Sequence, residues 1–439
     1  MLKAFTGHID SYYSSLKFSK LLLAVSGGLD SMVLLDLCYK MGLDCTVAHC
    51  NFKLRGDESD ADEQFVIEQS KSRNFNIETI SFNTEEYAKL NKISIQMAAR
   101  ELRYNWFKEQ LDRFDLDVIL TAHHADDNFE TLLINLTRGT GIDGLVGIPS
   151  NIEAVVRPLL PFSRQTILDY ANSHQVNWRE DGSNASNKYL RNKLRHDVIP
   201  EIKAAVPRVL EHVYATQNNL KSTQTLLKDY VALCKKEVLS GDISSKIEID
   251  LTQLTKFPNH DKLLFEILRP YGFTAWDDII NLVSAQSGKQ VFTSEFRIIK
   301  HTNALILTKT ERVDNKSYWL NENEAVSVHG IKVAVEKIDK TDLNRELDNN
   351  SILIDGEKLK FPLEMRRRED GDFFFPLGMK GKKKISKFYK DLKLSLVEKE
   401  NTWLLCSAND IIWVMGYRLD DRFKLNKDSN CVYKLSISK

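Results

Sequence analysis

The segment Leu21–Ser31 has the sequence LLLAVSGGLDS, in which an apolar run is followed by two glycines and a polar turn. The run predicts a short buried strand that ends at Val25, and the residues from Asp30 to Tyr39 predict a helix. The glycine pair between the two elements lacks Cβ atoms, so an anion can approach the backbone closely. The helix start adds free N–H groups and partial positive charge. The segment therefore predicts a phosphate-binding loop in an α/β domain.

Asp30 is the most informative residue of this loop. A carboxylate beside a polyphosphate is repelled unless a divalent cation lies between them, so Asp30 implies bound Mg²⁺. No lysine follows the glycines, which distinguishes the loop from a Walker A loop. An ordinary strand-to-helix turn, with Ser26 as N-cap and Asp30 as a first-turn acid, is the alternative interpretation. The predicted phosphate-binding residues are Ser26, Gly27, Gly28, Leu29, Asp30 and Ser31.

The composition is that of an ordinary globular protein, and 439 residues are enough for two or three domains. No apolar run approaches the roughly 20 residues of a membrane helix, and the N-terminal residues lack the apolar stretch of a secretion signal. The six cysteines form no CxxC pair, which argues against a zinc site, a redox pair or an iron–sulfur cluster. These features predict a cytoplasmic protein with reduced thiols. Net charge is zero, so only local patches can indicate a nucleic-acid partner.

The character of the sequence changes along the chain. Up to about residue 200, short apolar runs alternate with helical periodicity, which predicts a parallel α/β sheet. Further strands are predicted at Cys45–His49, Ile77–Phe82 and Val118–Ala122. Residues 206–236 are helical in pattern, residues 247–307 mix helices with short strands, and the pattern beyond Tyr318 is β-rich. We predict a catalytic domain at 1–212, a mainly helical middle domain at 213–315 and a β-rich α+β domain at 316–439.

The block His123–Thr131, HHADDNFET, directly follows the strand predicted at Val118–Ala122. In a helix that starts near Asp126, Asp127 and Glu130 lie one turn apart on one face. Paired carboxylates of this kind suit two tasks, which are holding Mg²⁺ and orienting and deprotonating an amine. The same residue types also fit a protein metal site, or an acidic helix start with His123 buried at the strand end.

Basic and glycine-rich segments supply the remaining candidates. Lys53 and Arg55 follow a predicted strand, where α/β sheets bind ligands, and suit a polyphosphate or RNA. The glycine-rich segment Arg138–Ile148 is predicted to be a substrate-clamping loop. The polar residues expected to return to the same cleft are Glu180, Asp181, Ser183, Asn184, Arg191 and Arg195. The segment Lys380–Lys393 contains seven lysines and one acidic residue, Asp391, which suits contacts with RNA phosphates.

The motif SGGxDS is the signature of the N-type ATP pyrophosphatases, and this chain resembles that superfamily. The blocks at 48–59, 123–131 and 138–148 make the chain similar to the bacterial tRNA(Ile)-lysidine synthase family. The resemblance extends over about residues 21–200 and resumes from about 365 to 424, and the middle region is similar only in general character. Asn128 and Phe129 depart from the family, which usually has Gln and a small residue at these places.

This resemblance implies a parallel-sheet domain like that of the adenine nucleotide alpha-hydrolases, and an enzyme that uses ATP, Mg²⁺ and free L-lysine. ATP would adenylate O2 of the wobble cytidine in a tRNA(Ile) with a CAU anticodon, with release of pyrophosphate. The lysine ε-amine would then displace AMP at C2. The product, lysidine, would change decoding from AUG to AUA.

The resemblance also implies roles for individual residues. Asp30, Asp127 and Glu130 are implied as catalytic, with Asp30 on the Mg²⁺ side and Glu130 more important for lysine than for ATP. The residues implied to contact lysine or tRNA are His123, Arg138, Arg191, Arg195, Lys53, Arg55, Lys382, Lys383 and Lys384. Phe388 and Tyr389 in the lysine-rich segment are candidates for stacking on a base, and core aromatics beneath a solvated lysine face are the alternative.

Three other functions remain open. A tRNA thiolase of the same superfamily usually needs paired cysteines, and Cys50 is the only thiol near the predicted nucleotide loops. An amidating synthetase of the GMP or NAD type needs ammonia delivery and gives the lysine-rich segment no role. A nucleotide-sensing RNA-binding protein without turnover is expected to have lost an acidic residue of the site, and all of them are present. The oligomeric state is also open, with a homodimer as one option.

Overall fold

A computed structural model describes residues 1–180, 190–310, 316–339, 350–427 and 429–438 of the chain. The contacts divide the chain into two compact units, residues 1–228 and 229–439. The second unit contains most of the predicted middle domain, from residue 229 onward, and the whole predicted C-terminal domain. The division into three domains at residues 212 and 315 stays a prediction.

The first unit is built from helices around one sheet. Its helices are α1 Leu2–Tyr12, α2 Leu29–Lys40, α3 Asp57–Lys71, α4 Thr84–Asn91, α5 Ile95–Phe114, α6 Ala125–Thr137, α7 Ile142–Leu145, α8 Arg164–Ser173, α9 Leu190–Lys193, α10 Ile199–Ala205 and α11 Val209–Val238, which continues into the second unit. Its strands are β1 Leu21–Ala24, β2 Cys45–Asn51, β3 Asn76–Ser81, β4 Val118–Leu120, β5 Asn151–Ile152 and β6 Val155–Val156. One turn of π-helix, Leu194–Val198, joins α9 to α10.

The sheet of the first unit has the order β3-β2-β1-β4-β6-β5, and all neighbours pair in parallel except β5 with β6. Side chains alternate along β1, so Leu21 and Leu23 pack in the core cluster with α2 and Leu22 packs with Trp106 and Phe107 of α5. Strand order reverses at β1, which lies between β2 and β4. In open α/β sheets, ligands bind beyond the carboxyl ends of the strands at such a reversal. The fold therefore places the binding site just after Ala24.

The prediction of a parallel α/β sheet is confirmed in this unit. Each of the four predicted strands is present, and the observed ends differ from the predicted ones by one or two residues. Ser94 caps α5 as its sequence suggests, since its side chain accepts a hydrogen bond from the Met97 N–H at 3.2 Å. Local sequence signals were sufficient for this part of the fold because the central strand β1 is a continuous apolar run and lies buried between β2 and β4.

The second unit is rich in antiparallel strands. Its helices are α12 Leu251–Leu254, α13 His260–Leu268, α14 Trp276–Ser284, α15 Ile385–Asp391 and α16 Leu396–Asn401. Its strands are β7 Leu239–Asp242, β8 Lys246–Asp250, β9 Gln290–Phe292, β10 Phe296–His301, β11 Ala304–Lys309, β12 Tyr318–Leu320, β13 Ala325–Val328, β14 Ile331–Ile338, β15 Ser351–Asp355, β16 Leu363–Arg366, β17 Phe373–Phe374, β18 Lys383–Lys384, β19 Leu404–Ser407, β20 Asp410–Val414, β21 Arg418–Leu419 and β22 Val432–Ser438.

These strands form a five-stranded sheet β7-β8-β11-β10-β9 in the middle region and three further sheets beyond residue 316. Helices α12–α14 come from the same stretch of the chain as the sheet β7-β8-β11-β10-β9, and they follow the long helix α11. The later sheets enclose a core that includes Trp403, Trp413 and Tyr433. The expectation of a helical middle followed by a β-rich region is confirmed. All six cysteines are free, and no helix in the described ranges is long and apolar enough to cross a membrane.

Candidate active site

The phosphate loop occupies the turn between β1 and α2. Gly28 is the N-cap of α2, so the alternative interpretation with Ser26 as N-cap is wrong. Gly27 has φ +91°, a conformation that favours glycine. The Ser31 hydroxyl accepts from the Ser26 N–H at 3.2 Å and donates to the Gly28 carbonyl at 2.9 Å. These two bonds fix the loop around the start of the helix, where its N–H groups can receive an anion.

Asp30 lies one residue inside α2 and faces His124. The distance from His124 Nε2 is 3.5 Å to Asp30 Oδ2 and also 3.5 Å to Asp127 Oδ2. His124 is buried and caps α6, whose Asp127 N–H approaches its Nδ1 at 3.4 Å. Burial lowers the pKa of His124, but the hydrogen bond to Asp30 and the neighbouring carboxylates outweigh burial, so the pKa is raised. His124 thus links the phosphate loop to the start of α6.

Asp127 and Glu130 lie one turn apart in α6, as predicted, and both contact Arg195. Arg195 Nε donates to Glu130 Oε1 at 2.6 Å, and its Nη2 donates to Asp127 Oδ1 at 3.0 Å. Arg191 Nε donates to Glu130 Oε2 at 2.9 Å. Glu130 is only 1% exposed, so its charge depends on these two guanidinium groups. The π-helical turn that carries Arg195 is a feature often found at functional sites.

The electrostatics of this cluster favour ionised side chains. Burial raises the pKa of Asp127, but the charges of His124 and Arg195 and a backbone hydrogen bond outweigh it, so the pKa is lowered. Burial lowers the pKa of Arg195, but Glu130 and Asp127 outweigh it, so the pKa is raised. Asp127 and Arg195 are therefore both charged near neutral pH.

His123 differs from its neighbour His124 in its environment. Burial lowers the pKa of His123 to about 4, and the positive charges of nearby arginines act in the same direction. The ring is therefore neutral at pH 7, and its Nδ1 lies 3.1 Å from the Thr121 hydroxyl. A neutral imidazole at the end of β4 can orient a ligand by hydrogen bonding without adding charge.

Three cavities meet at the phosphate loop and share Ser26 and Gly28. The first, of about 430 Å³, has an apolar and aromatic wall suited to a nucleobase, formed by Ala48, Cys50, Phe52, Tyr104 and Phe107, and it also reaches His123, Asp127, Arg191 and Arg195. The second, of about 630 Å³, is lined by both signs of charge, with Asp30, Asp126, Glu130 and Glu180 opposite Arg164, Arg179, Arg195 and Lys203. The third, of about 370 Å³, contains three arginines.

Other predicted residues lie apart from this cluster. Lys53 is half-exposed and pairs with Asp60, whereas Arg55 lines the third cavity and donates to Asp62 at 2.6 Å. Arg138 is exposed just beyond the end of α6 and lines none of the three cavities. Asp181, Ser183 and Asn184 lie outside the described residues. In the described ranges, no three His, Cys, Asp or Glu side chains are grouped to hold a metal, so the HHADD block forms no protein-only metal site.

The lysine-rich segment lies in the second unit, on the β17–β18 hairpin and α15. We call its six exposed residues the lysine surface: Lys380, Lys382, Lys384, Lys387, Lys390 and Lys393. Lys383 is partly buried and pairs with Asp391 at 2.6 Å. The prediction that Phe388 and Tyr389 stack on a base is wrong, since both are buried in a core cluster with Phe374 and Ile385. These two aromatic side chains lie on the core side of α15, and the lysines of α15 lie on its solvent side.

Several residues of the site were missed by sequence reasoning. Arg103, Tyr104 and Phe107 come from α5, whose helical pattern was visible but gave no sign of which side faces a ligand. Lys203 of α10 pairs with Asp126, and Arg179 lines two of the cavities. Arg179 directly precedes Glu180, the first residue of the polar segment that was expected to return to the cleft. This neighbouring position was the one signal that could have indicated Arg179.

Comparisons with known proteins identify the class to which the first unit belongs. A PP-loop domain model matches residues 1–202, which places the nucleotide site in the PP-loop class of ATP-using enzymes. Models of the TilS substrate-binding domain and the TilS substrate C-terminal domain match residues 243–310 and 363–437.

Curated relatives extend this similarity to nearly the whole chain. A tRNA(Ile)-lysidine synthase of Parabacteroides distasonis is 36% identical over 97% of both chains. That of Bacteroides thetaiotaomicron is 37% identical over 98% of both, and that of Porphyromonas gingivalis strain W83 is 33% identical over 93% of this chain and 92% of its own. The chain therefore belongs to the tRNA(Ile)-lysidine synthase family and is an ATP-dependent ligase.

Proposed function

We propose that this chain forms lysidine at the wobble cytidine of a tRNA(Ile) with a CAU anticodon, and so changes its decoding from AUG to AUA. ATP adenylates cytosine O2 and releases pyrophosphate, and the ε-amine of free lysine then displaces AMP at C2. The observation that carries this proposal is the meeting of three chemically different cavities at one phosphate loop, in a chain of this family.

The first step needs a polarised triphosphate next to the cytosine. Cytosine C2 is a poor electrophile because its oxygen would have to leave as oxide, and AMP is a much better leaving group. The aromatic wall of the first cavity fits a base, and the loop N–H groups fit the phosphates. Arg191 and Arg195 line the same cavity, where positive charge stabilises the charge that develops on the phosphates.

Asp30 fits the Mg²⁺ that this chemistry implies. Its Oδ1 is buried without a hydrogen-bond partner in the described part of the chain, which is costly unless a ligand completes it. Mg²⁺ usually binds through one or two carboxylates together with substrate phosphates, so one carboxylate beside the loop is sufficient. The ion would neutralise phosphate charge during adenylation.

The second step needs a lysine whose ε-amine has lost its proton, although its pKa in water is near ~10.4. The second cavity suits this zwitterion, because its bases can hold the α-carboxylate and its acids the ammonium group. We assign recognition of the ammonium and acceptance of its proton to Glu130 and Asp127. Both carboxylates accept hydrogen bonds from Arg195, which hold them in position.

The lysine surface is assigned to the phosphates of the tRNA. None of its six lysines forms a salt bridge among the described residues, so their charge is available to a partner. Contacts of this kind position RNA and carry no sequence information. Recognition of the cytidine itself is therefore left to the cavities of the first unit.

A thiolase activity of the same superfamily is the alternative, and Cys50 argues against it. Cys50 lines the first cavity, but burial raises the pKa of its thiol to about 12. A thiol with this pKa is protonated at neutral pH, and the thiolate is the reactive form.

The test uses the purified chain, ATP, radiolabelled lysine and a CAU-anticodon tRNA(Ile). We expect lysine to become attached while AMP and pyrophosphate form in equal amounts. A tRNA that differs only by uridine at the wobble position is the matched control and is expected to receive none. Lysine attachment to the control tRNA, or AMP formation indifferent to lysine, would refute the proposal.

A further inference from the structure

The third cavity, on the Gly27 side of the phosphate loop, carries an excess of positive charge. Among the described residues, its charged lining consists of three arginines, Arg55, Arg103 and Arg179, and one carboxylate, Asp62. Burial lowers the pKa of His49, which also lines the cavity, so this ring is neutral at pH 7. Gly27 and Gly28 form the wall that it shares with the loop. A site with this balance attracts a polyanion and repels an ammonium group, so it does not suit the lysine substrate.

Asp62 holds two of the three arginines. Its Oδ2 accepts from Arg55 Nη2 at 2.6 Å, and its Oδ1 accepts from Arg179 Nε. Asp62 is 8% exposed, whereas the two arginines remain partly accessible. The two guanidinium groups donate to different oxygens of Asp62, and two oxygens of a phosphate group can accept the same pair of hydrogen bonds.

The backbone ties Arg179 to the loop itself. The Arg179 N–H donates to the Gly27 carbonyl at 3.0 Å. Gly27 packs against α3, because a Cβ added to it would lie 3.4 Å from Val66 Cγ2. Helix α3, which carries Asp62, the segment that carries Arg179 and the phosphate loop are therefore held together. A shift of the phosphate loop when phosphates bind can therefore move Arg179, because one backbone hydrogen bond joins them.

We propose that Arg55 and Arg179 bind the leaving pyrophosphate, and that Asp62 holds their guanidinium groups in place until phosphate oxygens replace it. In this arrangement Asp62 is a competitor of the product, so it weakens pyrophosphate binding and favours release. This inference rests on the proposed function only in requiring ATP cleavage to pyrophosphate. It assigns to Arg55 the polyphosphate role rather than the RNA role.

Calorimetric titration of the full chain with inorganic pyrophosphate, at constant MgCl₂ and without tRNA or lysine, tests the proposal. Arg179→Ala is expected to weaken binding by about tenfold or more, the loss typical of a hydrogen bond to a charged group. Arg179→Lys keeps the charge and is expected to lose less. Asp62→Asn is expected to tighten binding severalfold, because it removes the competing charge.

Arg113→Ala is the matched control. Arg113 is exposed, pairs with Glu78 and lies far along α5 from Arg103, which lines the cavity. It is expected to leave pyrophosphate affinity unchanged. Wild-type affinity in both Arg179 variants would overturn the proposal, and so would weaker binding in Asp62→Asn, because that result assigns Asp62 a purely structural role. Since no tRNA or lysine is present, failure here leaves the lysidine assay unaffected, and failure of that assay leaves this result standing.

Discussion

The charged residues around α6 and those of the lysine surface show opposite ways of using charge. In the first unit, Asp127, Glu130 and Arg195 are largely buried and hydrogen-bonded to one another. In the second unit, the lysines of the β17–β18 hairpin and α15 point to solvent, and among the described residues only Lys383 pairs with an acid. Buried charges interact strongly, but only when their geometry and hydrogen bonds are right. Exposed charges each contribute a small, additive interaction free energy that salt screens.

Because of this difference, single substitutions are expected to have large effects in the buried cluster and small effects on the lysine surface. A change in the buried cluster leaves a partner charge without compensation, so one residue decides the outcome. A change on the lysine surface removes a small part of a long-range attraction.

Glu130→Gln is expected to give the largest effect. The variant keeps the shape of Glu130 but loses the charge that we assign to lysine, so the lysine-dependent step should slow by about 100-fold or more. ATP binding should change little. Rapid-quench measurement of lysine transfer, with ATP affinity measured in parallel, checks this. Glu211→Gln removes an exposed partner of Arg208 and should change neither quantity. An unchanged lysine step in Glu130→Gln would contradict the role.

Phe388→Ala tests the core beneath the lysine surface. Phe388 is 5% exposed, so its loss should lower the free energy of unfolding by about 3–5 kcal/mol. The folded fraction should bind tRNA as before, because the side chain does not reach the partner. Phe373 is 43% exposed on the neighbouring hairpin, and Phe373→Ala should destabilise much less. Urea denaturation and filter binding measure the two quantities, and a stable Phe388→Ala with weak tRNA binding would restore the stacking role.

His123 gives a pH test of the buried site. Its pKa falls from its usual value near 6.5 to about 4 in the folded chain, so between these values the unfolded state binds more protons. The unfolding free energy that depends on His123 is therefore fully present above pH 6.5 and decreases as pH falls towards 4, by up to about 3 kcal/mol. Denaturation of wild type and His123→Gln from pH 7 to 4 should show this difference. Parallel pH dependence of the two proteins would show that His123 titrates normally.

Reversing Lys382, Lys384 and Lys387, three members of the lysine surface, to Glu should have the smallest effect per residue. Each lysine that contacts a phosphate contributes about one unit to the slope of log affinity against log salt, so tRNA binding should weaken and its salt dependence should flatten. The matched control reverses three exposed lysines elsewhere in the unit, Lys332, Lys337 and Lys360, and should leave the slope nearly unchanged. Filter binding across a salt series checks both. Equal slopes in the two variants would remove the special role of this segment.

The same contrast explains what the sequence could and could not predict. The phosphate loop follows from neighbours in the chain, because a strand, two glycines and a helix start are local signals. The pairing of Glu130 with Arg191 and Arg195 joins residues 61 and 65 positions apart, and no local pattern encodes such a contact. The spacing of Asp127 and Glu130 was predictable, but their burial between two arginines was not.

The lysine-rich segment shows the reverse case. Its charge was evident in the sequence, but the direction of Phe388 and Tyr389 depends on how α15 packs against β19 and β20, where Leu404, Cys406 and Ile411 complete the core. Arg103 and Phe107 posed the same difficulty in α5. Composition indicates that a segment is basic or amphipathic, and tertiary packing then decides which side chains a partner can reach.

The central claim is that ATP activates the tRNA and that lysine attacks afterwards. Incubating the chain with CAU-anticodon tRNA(Ile) and ATP labelled in its α-phosphate, without lysine, tests it most directly. We expect pyrophosphate to be released and the label to become attached to the tRNA. Added lysine should then release the label as AMP while lysine becomes attached to the RNA. Label found on lysine instead of tRNA would contradict this order of steps.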